Sequence, residues 1–272
     1  MPELDVLSDV YNAHLIQRRD FNESLSEFTI AFDEGGVPDF QCGQYTTLGV
    51  VEKDDNGEVV MGRRGPKLTR RAYSIASAPK NQDALTYYIV RVEDGALTPK
   101  LWDLKPGDGL FMDNRIKGTF TLESVPEGKN LALIGTGTGL APFMSMIQEH
   151  RGTHLWNKVA LFDGCRLAKD LGYFGELSRI AQEDPTITYL PTVTREPEDS
   201  DWKGLRGRIT EHLKPSAFQE LAGFDLNPET CHIFMCGNPA MIDQCEGLFT
   251  DLGFLVKDRK NPEGNVHFER YW

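Results

Sequence analysis

Apolar positions follow two rhythms along the chain. Over residues 11–120 they come in short runs with period-two alternation, and these runs predict strands at 13–19, 25–32, 45–51, 71–75, 85–92, 109–112 and 118–122. Turn clusters such as Asp33-Glu34-Gly35-Gly36 and Asp54-Asp55-Asn56-Gly57 separate them. Many short strands at close spacing predict a small antiparallel β-barrel. One helix interrupts it at 98–104, ended by Pro106-Gly107-Asp108.

From Leu131 the rhythm changes to apolar strands alternating with helices. Strands are predicted at 131–134, 158–162, 187–193, 232–235 and 265–271, with helices at 172–181, from 210–212 onward, and at 240–252. This pattern predicts a parallel sheet with helices on both faces, an α/β domain of the nucleotide-binding kind. The boundary is expected near Pro126-Glu127-Gly128, giving domains 1–126 and 127–272. No internal repeat or low-complexity segment interrupts either part.

Residues 131–143, LALIGTGTGLAPF, form the hinge of this architecture. Leu131 to Ile134 read as a strand buried on both faces, which ends abruptly in Gly135, Thr136, Gly137, Thr138 and Gly139. Pro142 suits the first turn of the helix that follows. Strand, glycine turn and helix start together offer N–H groups to an anion, and glycine removes the Cβ atoms that would hold a ligand away. The pattern is not G-x-G-x-x-G. A tight turn without a ligand is the alternative reading.

Composition narrows the function classes. The chain has 272 residues and a net charge of −12, which argues against general nucleic-acid binding and against an anionic membrane surface as partner. No apolar run is long enough to span a bilayer, and the acidic start MPELDVLSDV does not read as a signal peptide, so a cytoplasmic protein is expected. Cys42, Cys165, Cys231, Cys236 and Cys245 are odd in number and never at C-x-x-C spacing, which suggests reduced thiols and no metal site. A monomer is the simpler expectation. One window departs from the acidity: no acid lies between Glu58 and Asp83, where Arg63, Arg64, Lys67, Arg70, Arg71 and Lys80 fall. At the C-terminus, Phe268, Tyr271 and Trp272 call for an apolar receiver.

In RAYSIASAP, residues 71–79, strand alternation puts Arg71 and Tyr73 on one face and Ala72 on the other, with Ser74 following. A guanidinium beside an aromatic plane and a hydroxyl suits a flat, phosphate-bearing cofactor. A barrel strand with a surface Arg and a packed Tyr is the other reading. A second constellation joins Val193-Thr194-Arg195-Glu196 to Gly207-Arg208-Ile209, at strand ends where ligands of open α/β sheets gather. A third is CGNPAM at 236–241, with Cys236 and Gly237 at a strand end and Asn238-Pro239 starting a helix.

RAYSIASAP, GALTPKLWDLKPGD at 95–108, GTGTGLAPF at 135–143 and CGNP at 236–239 resemble, in order and spacing, the ferredoxin–NADP reductase family. The ending ERYW is most similar to the bacterial flavodoxin/ferredoxin–NADP reductases that finish in Tyr-Trp. The resemblance covers nearly the whole chain. It implies an N-terminal FAD-binding β-barrel and a C-terminal NADP-binding α/β domain, with the flavin at their junction. It further implies that Arg71 pairs with FAD phosphate, that Tyr73 stacks on the isoalloxazine after Ala72, and that Ser74 bonds near flavin N5. Gly95, Ala96, Leu97 and Thr98 match the segment that opens a helix onto the FAD pyrophosphate, and Thr98 is placed to cap that helix. Gly135, Thr136, Gly137 and Gly139 face NADP, and Thr138 lies beside the nicotinamide.

By the same resemblance, Arg195 and Arg208 hold the 2′-phosphate that separates NADPH from NADH. Cys236, with Gly237 and Asn238 beside it, lies against nicotinamide C4 without acting as a nucleophile, and Glu269 orients the nicotinamide or relays a proton. Tyr271 covers the flavin and Trp272 extends towards the FAD adenine. The implied activity is hydride transfer from NADPH to FAD, then single-electron delivery to a ferredoxin or flavodoxin, which are acidic carriers that the basic window would attract. The rival readings are the reductase component of an oxygenase, a free flavin reductase, and a flavin- or nucleotide-binding sensor without turnover.

Overall fold

Period-two alternation builds the first of two units, Met1–Thr119. The computed structural model describes residues 7, 10–63 and 65–271. In chain order the first unit contains β1 (Ala13–Asn22), β2 (Leu25–Phe32), β3 (Tyr45–Val51), β4 (Met61–Gly62), β5 (Gly65–Pro66), β6 (Leu68–Ser74), β7 (Leu85–Val90), α1 (Thr98–Trp102) and β8 (Gly109–Met112). Six strands pair antiparallel in the order β6-β3-β8-β1-β2-β7. The two edges then meet, because Ile75 bridges Tyr87 and the Ala76 N–H donates to the Thr86 carbonyl at 2.8 Å. The sheet therefore curls into the expected barrel.

Its interior is the inward-facing set that the alternation marks: Leu15, Phe28, Ile30, Leu48, Leu85, Tyr87, Ile89, Leu110 and Met112, with Leu97 and Leu101 added from around α1. Burying side chains of this size stabilises the unit by roughly 1.5–3 kcal/mol each. Asn12 fastens β8 in place. Its side chain donates to the Met112 carbonyl and accepts from the Met112 N–H, both at 2.9 Å.

The strand predicted at 118–122 does not form. Gly118 turns the chain at φ +117°, with the Tyr45 ring packed where a Cβ would stand. Phe120 then belongs to the second unit, Phe120–Trp272, where it packs on Phe143 and Phe234 at 5.9 and 5.4 Å between ring centroids. The division at Thr119 thus precedes the boundary expected at 126, because the aromatic anchor lies ahead of the Pro-Glu-Gly turn.

The second unit contains β9 (Lys129–Thr136), α2 (Ala141–His150), β10 (Trp156–Cys165), α3 (Phe174–Glu183), β11 (Ile187–Val193), β12 (Leu205–Arg206), α4 (Ile209–His212), α5 (Pro215–Ala222), β13 (Cys231–Gly237), α6 (Pro239–Asp251) and β14 (Val266–Arg270). All six strands run parallel, in the order β12-β11-β10-β9-β13-β14. β13 is buried along its whole length, as a strand covered on both faces must be. One face carries Ala132, Ile134, Ile233 and Met235 against Ile209, Phe218, Ile242 and Phe249 of α4, α5 and α6. On the other face Phe143 of α2 reaches Gly135, and Phe174 of α3 packs on Tyr189. The helix expected from 210 onward is two helices. Leu213 and Lys214 interrupt it, and Pro215 starts the second.

Candidate nucleotide-binding edge and flavin strand

In the barrel, β6 carries Arg71, Ala72, Tyr73 and Ser74 opposite Leu48, Thr47, Thr46 and Tyr45 of β3. Arg71 and Ala72 are exposed, Tyr73 is half-buried against the barrel core, and Ser74 is buried. Burial pushes the Tyr73 hydroxyl up to about 12, and the nearby Arg71 charge opposes that shift. Arg71 and Tyr73 are therefore neighbours on one face, as alternation requires. An exposed guanidinium, a half-buried ring and a buried hydroxyl in sequence fit a flat group that bears a phosphate.

The segment 95–98 differs in detail from its expected form. Leu97 is the residue preceding α1, and Thr98 does not cap it. The Thr98 hydroxyl instead accepts from the Val92 N–H at 2.9 Å and donates to the Val92 carbonyl at 3.2 Å. Gly95 is required by the same fold-back, since a Cβ there would stand 2.9 Å from both the Thr98 hydroxyl and the Val92 carbonyl. The threonine closes a loop on itself, a use of a short hydroxyl that competes with capping.

In the second unit the glycine stretch ends β9 and makes a short 3₁₀ turn, Gly137–Leu140, before α2 begins with Pro142 in its first turn. Its glycines serve different ends. Gly137 adopts φ +56° with nothing within 4 Å of a Cβ position, so this turn leaves open space beside the backbone. Gly139 is needed for a close approach, because a Cβ would lie 2.2 Å from the Cys236 carbonyl oxygen and therefore clash. Gly237, at φ +119°, fits against Thr136, whose hydroxyl accepts from the Asn238 N–H at 3.0 Å. Asn238 caps α6 through the Ala240 N–H at 2.8 Å. Thr138 is buried in the turn.

The two turns lie side by side at the carboxyl edge of the sheet. Cys236 pairs in register with Gly135 on one side and Glu269 on the other. Tyr271 follows, its N–H donating to the Gly237 carbonyl at 3.2 Å. Burial drives the Cys236 thiol well above its ordinary range and Glu269 adds to this, while the Tyr271 hydroxyl and the Gly237 N–H oppose it. Such a thiol stays protonated and is a packing surface. Cys236, Glu269 and Tyr271 are thus gathered at one point, whereas Trp272 and Arg64 lie outside the described residues.

At the ends of the neighbouring strands stand Arg195, just past β11, and Arg208, just past β12; both are exposed. Sequence reading missed Arg166, which follows β10 and whose carbonyl accepts from the Arg195 N–H at 2.8 Å. Its signal was present, an arginine after a strand end, the same signal that marked Arg195. Arg206 is different. Its guanidinium donates to the Glu196 and Pro197 carbonyls at 2.8 and 3.0 Å and to Ser200 at 3.1 Å, clamping the loop between β11 and β12. Three exposed guanidiniums at three adjacent strand ends fit a phosphate-bearing ligand, and an open glycine turn fits its pyrophosphate.

Known proteins resemble this chain in sequence and in fold. Residues 133–247 match the oxidoreductase NAD-binding domain. The chain is 30% identical over 237 residues to a flavodoxin/ferredoxin–NADP reductase of Buchnera aphidicola subsp. Baizongia pistaciae, covering 87% of this chain and 89% of that one. It is 34% identical over 210 residues to the flavodoxin/ferredoxin–NADP reductase of Rhodobacter capsulatus, covering 74% and 72%. A ferredoxin NADP+ reductase from Neisseria gonorrhoeae, solved with bound FAD and NADP, superposes with a TM-score of 0.81 at 25% identity, over 96% of this chain and 98% of that one. On its sequence and its two-unit fold, the chain belongs to the flavodoxin/ferredoxin–NADP reductase family.

Proposed function

We propose that this chain is an FAD-dependent reductase that takes reducing equivalents from NADPH and passes them singly to a small ferredoxin or flavodoxin. The observation that carries the reading is the gathering of an open glycine turn, Cys236, Glu269 and Tyr271 at one edge of the parallel sheet, with arginines at the neighbouring strand ends. When bound, FAD supplies the two-electron to one-electron conversion that the side chains themselves lack.

The residues of the chain supply position. Arg71 neutralises phosphate, Tyr73 offers a ring face, and Ser74 offers a hydroxyl to a flavin-ring nitrogen. The N–H groups of the Gly137 turn take up pyrophosphate charge, with Thr136, Gly139, Gly237 and Asn238 bracing that turn. Arg195 and Arg208, joined by Arg166, take the 2′-phosphate, which NADH lacks. The neutral Cys236 thiol forms an apolar floor beside Thr138 for the nicotinamide, and Glu269 orients its amide. Tyr271 follows Cys236 and Glu269 at the same strand ends and its hydroxyl acts on the thiol, so a ring reaching Cys236 must displace it.

The electron carrier is acidic, and the protein is acidic as a whole, so docking calls for a local positive patch. Arg63, in the turn between β4 and β5, and Arg70 on β6 are exposed and supply it. Lys67 is partly used elsewhere, in an ion pair with Glu52 at 2.7 Å.

An anaerobic reduction tests the reading. Flavin absorbance of the purified protein should bleach rapidly with NADPH and slowly with NADH. No bleaching by either nucleotide would make the protein a sensor, and faster bleaching by NADH would remove the arginines from cofactor selection.

A further inference from the structure

One buried charge-bearing group has no part in the reading above. Asp163 on β10 is 1% exposed and is the one buried carboxyl among the described residues. It lies in a row across the sheet, in register with Gly135, which is followed by Cys236 and Glu269 on the next two strands. The Tyr189 hydroxyl donates to Asp163 Oδ2 at 2.8 Å. The Cys165 Sγ lies 4.0 Å from Asp163 Oδ1 and donates to the Asp170 carbonyl at 3.3 Å. Cys165 follows Gly164, the register partner of Thr136, so it stands beside Gly137 at the open turn, and the Gly137 N–H tempers the upward shift of its thiol. One thiol therefore stands between a buried carboxyl and the turn assigned to pyrophosphate.

We propose that Asp163 is a positioning residue for the nucleotide: acting through Cys165 on the Gly137 turn, its charge state sets how strongly that turn holds an anion. The proposal rests on the assignment of the Gly137 turn to NADP(H). A negative charge one thiol away from an anion-binding N–H opposes the anion, and a neutral carboxyl does not. Burial pushes the Asp163 carboxyl up to about 7, against the hydrogen bond from Tyr189, so the change of charge falls at neutral pH.

The other charged groups around it are already engaged or distant. Asp170 acts on the Cys165 thiol, and the Glu196 carboxylate accepts from the Ala168 N–H at 2.7 Å. On α3, Glu176 meets Gln148, and Arg179 pairs with Glu183 at 2.8 Å. On α2, Glu149 and His150 sit at the far end of the helix, His150 against Trp156. In the row itself, Cys236 and Glu269 lie beyond Gly135. Burial raises the Asp163 carboxyl and the Tyr189 hydroxyl opposes that shift, with the Cys165 thiol also beside it.

The sign follows from linkage. The folded protein holds its Asp163 proton to about pH 7, whereas the free side chain loses it near 3.8, so this group favours the folded state at low pH and that advantage is lost as pH rises through 7. A bound anion disfavours the carboxylate further, so nucleotide affinity should also fall as pH rises through 7.

Calorimetric titration of the flavin-loaded protein with NADP+ across neutral pH tests this. The 2′-phosphate titrates in the same range, so the readout is the difference between proteins at each pH. Relative to Asp163→Asn, the wild type should lose an additional factor of about three to ten in affinity between about pH 6 and about pH 8.5. Asp163→Asn should bind tighter than wild type at the alkaline end. Tyr189→Phe removes the short hydrogen bond that favours the carboxylate and should move the wild-type wave to higher pH, which a purely packing role would not do. Identical pH profiles in the three proteins, with Gly137→Ala weakening NADP+, would overturn the role of Asp163 alone. Unchanged NADP+ affinity in Gly137→Ala would remove the turn from the nucleotide site and overturn the underlying reading with it.

Discussion

On the proposed reading, the barrel strand and the sheet edge solve the same problem, holding a phosphate-bearing ligand, with different parts of the chain. On β6 the work falls to side chains: Arg71, Tyr73 and Ser74 alternate on an otherwise ordinary strand whose backbone is fully paired with β3. At the ends of β9 and β13 it falls to backbone, and the residues that matter are those lacking a side chain. The difference implies opposite responses to mutation. Truncating the β6 side chains should empty the site and spare the fold, whereas adding even a methyl group at Gly139 should damage the fold first.

The sharpest break of this contrast is Gly139→Ala. A Cβ at 2.2 Å from the Cys236 carbonyl must push the Gly137–Leu140 turn away from the end of β13, at a cost of about 2–3 kcal/mol in urea unfolding, together with loss of flavin bleaching by NADPH. A variant as stable as wild type would show that the two turns are not in contact and that the backbone account is wrong. Tyr73→Ala should cost less stability, about 1–2 kcal/mol for a half-buried ring, yet release most of the flavin during gel filtration. Retention of flavin at one per chain would take Tyr73 out of the site.

A finer test sets two arginines against each other. Arg208→Ala removes an exposed guanidinium and should raise the KM for NADPH by roughly 10- to 100-fold, with little change for NADH or in melting temperature. Arg206→Ala removes three hydrogen bonds from a loop and should lower the melting temperature by a few degrees. Its effect on both nucleotides should be equal. Reversal of these two patterns would exchange the roles of the residues.

How far each region could be read from sequence follows the same division. β2, β3, β8 and β11 occupy the expected residues, because alternation and apolar runs report burial directly. The placement of Arg71 and Tyr73 on one face of β6 was legible for the same reason, since alternation alone sets it. The glycines were ambiguous, since one letter stands for three demands: a positive φ at Gly137, a close approach at Gly139, and both at Gly237. The false strand at 118–122 came from reading Phe120 and Leu122 as alternation, when Phe120 is an anchor for the second unit. Thr98 was read as a cap from its place before a helix, but a hydroxyl is equally served by the Val92 backbone, and only the path of the loop decides between them. Asp163 gave no motif at all. Its significance comes from neighbours that the fold brings to it, Tyr189 from another strand and Gly137 from another turn.

The contact of Gly139 with the Cys236 carbonyl joins turns that lie about a hundred residues apart in the chain, with no side chain between them to absorb displacement. Backbone against backbone is a stiff joint. Whatever quiets one turn should quiet the other, so a nucleotide settling on Gly137 should slow amide hydrogen exchange at Gly237 and along β14, parts of the chain that its pyrophosphate need never touch.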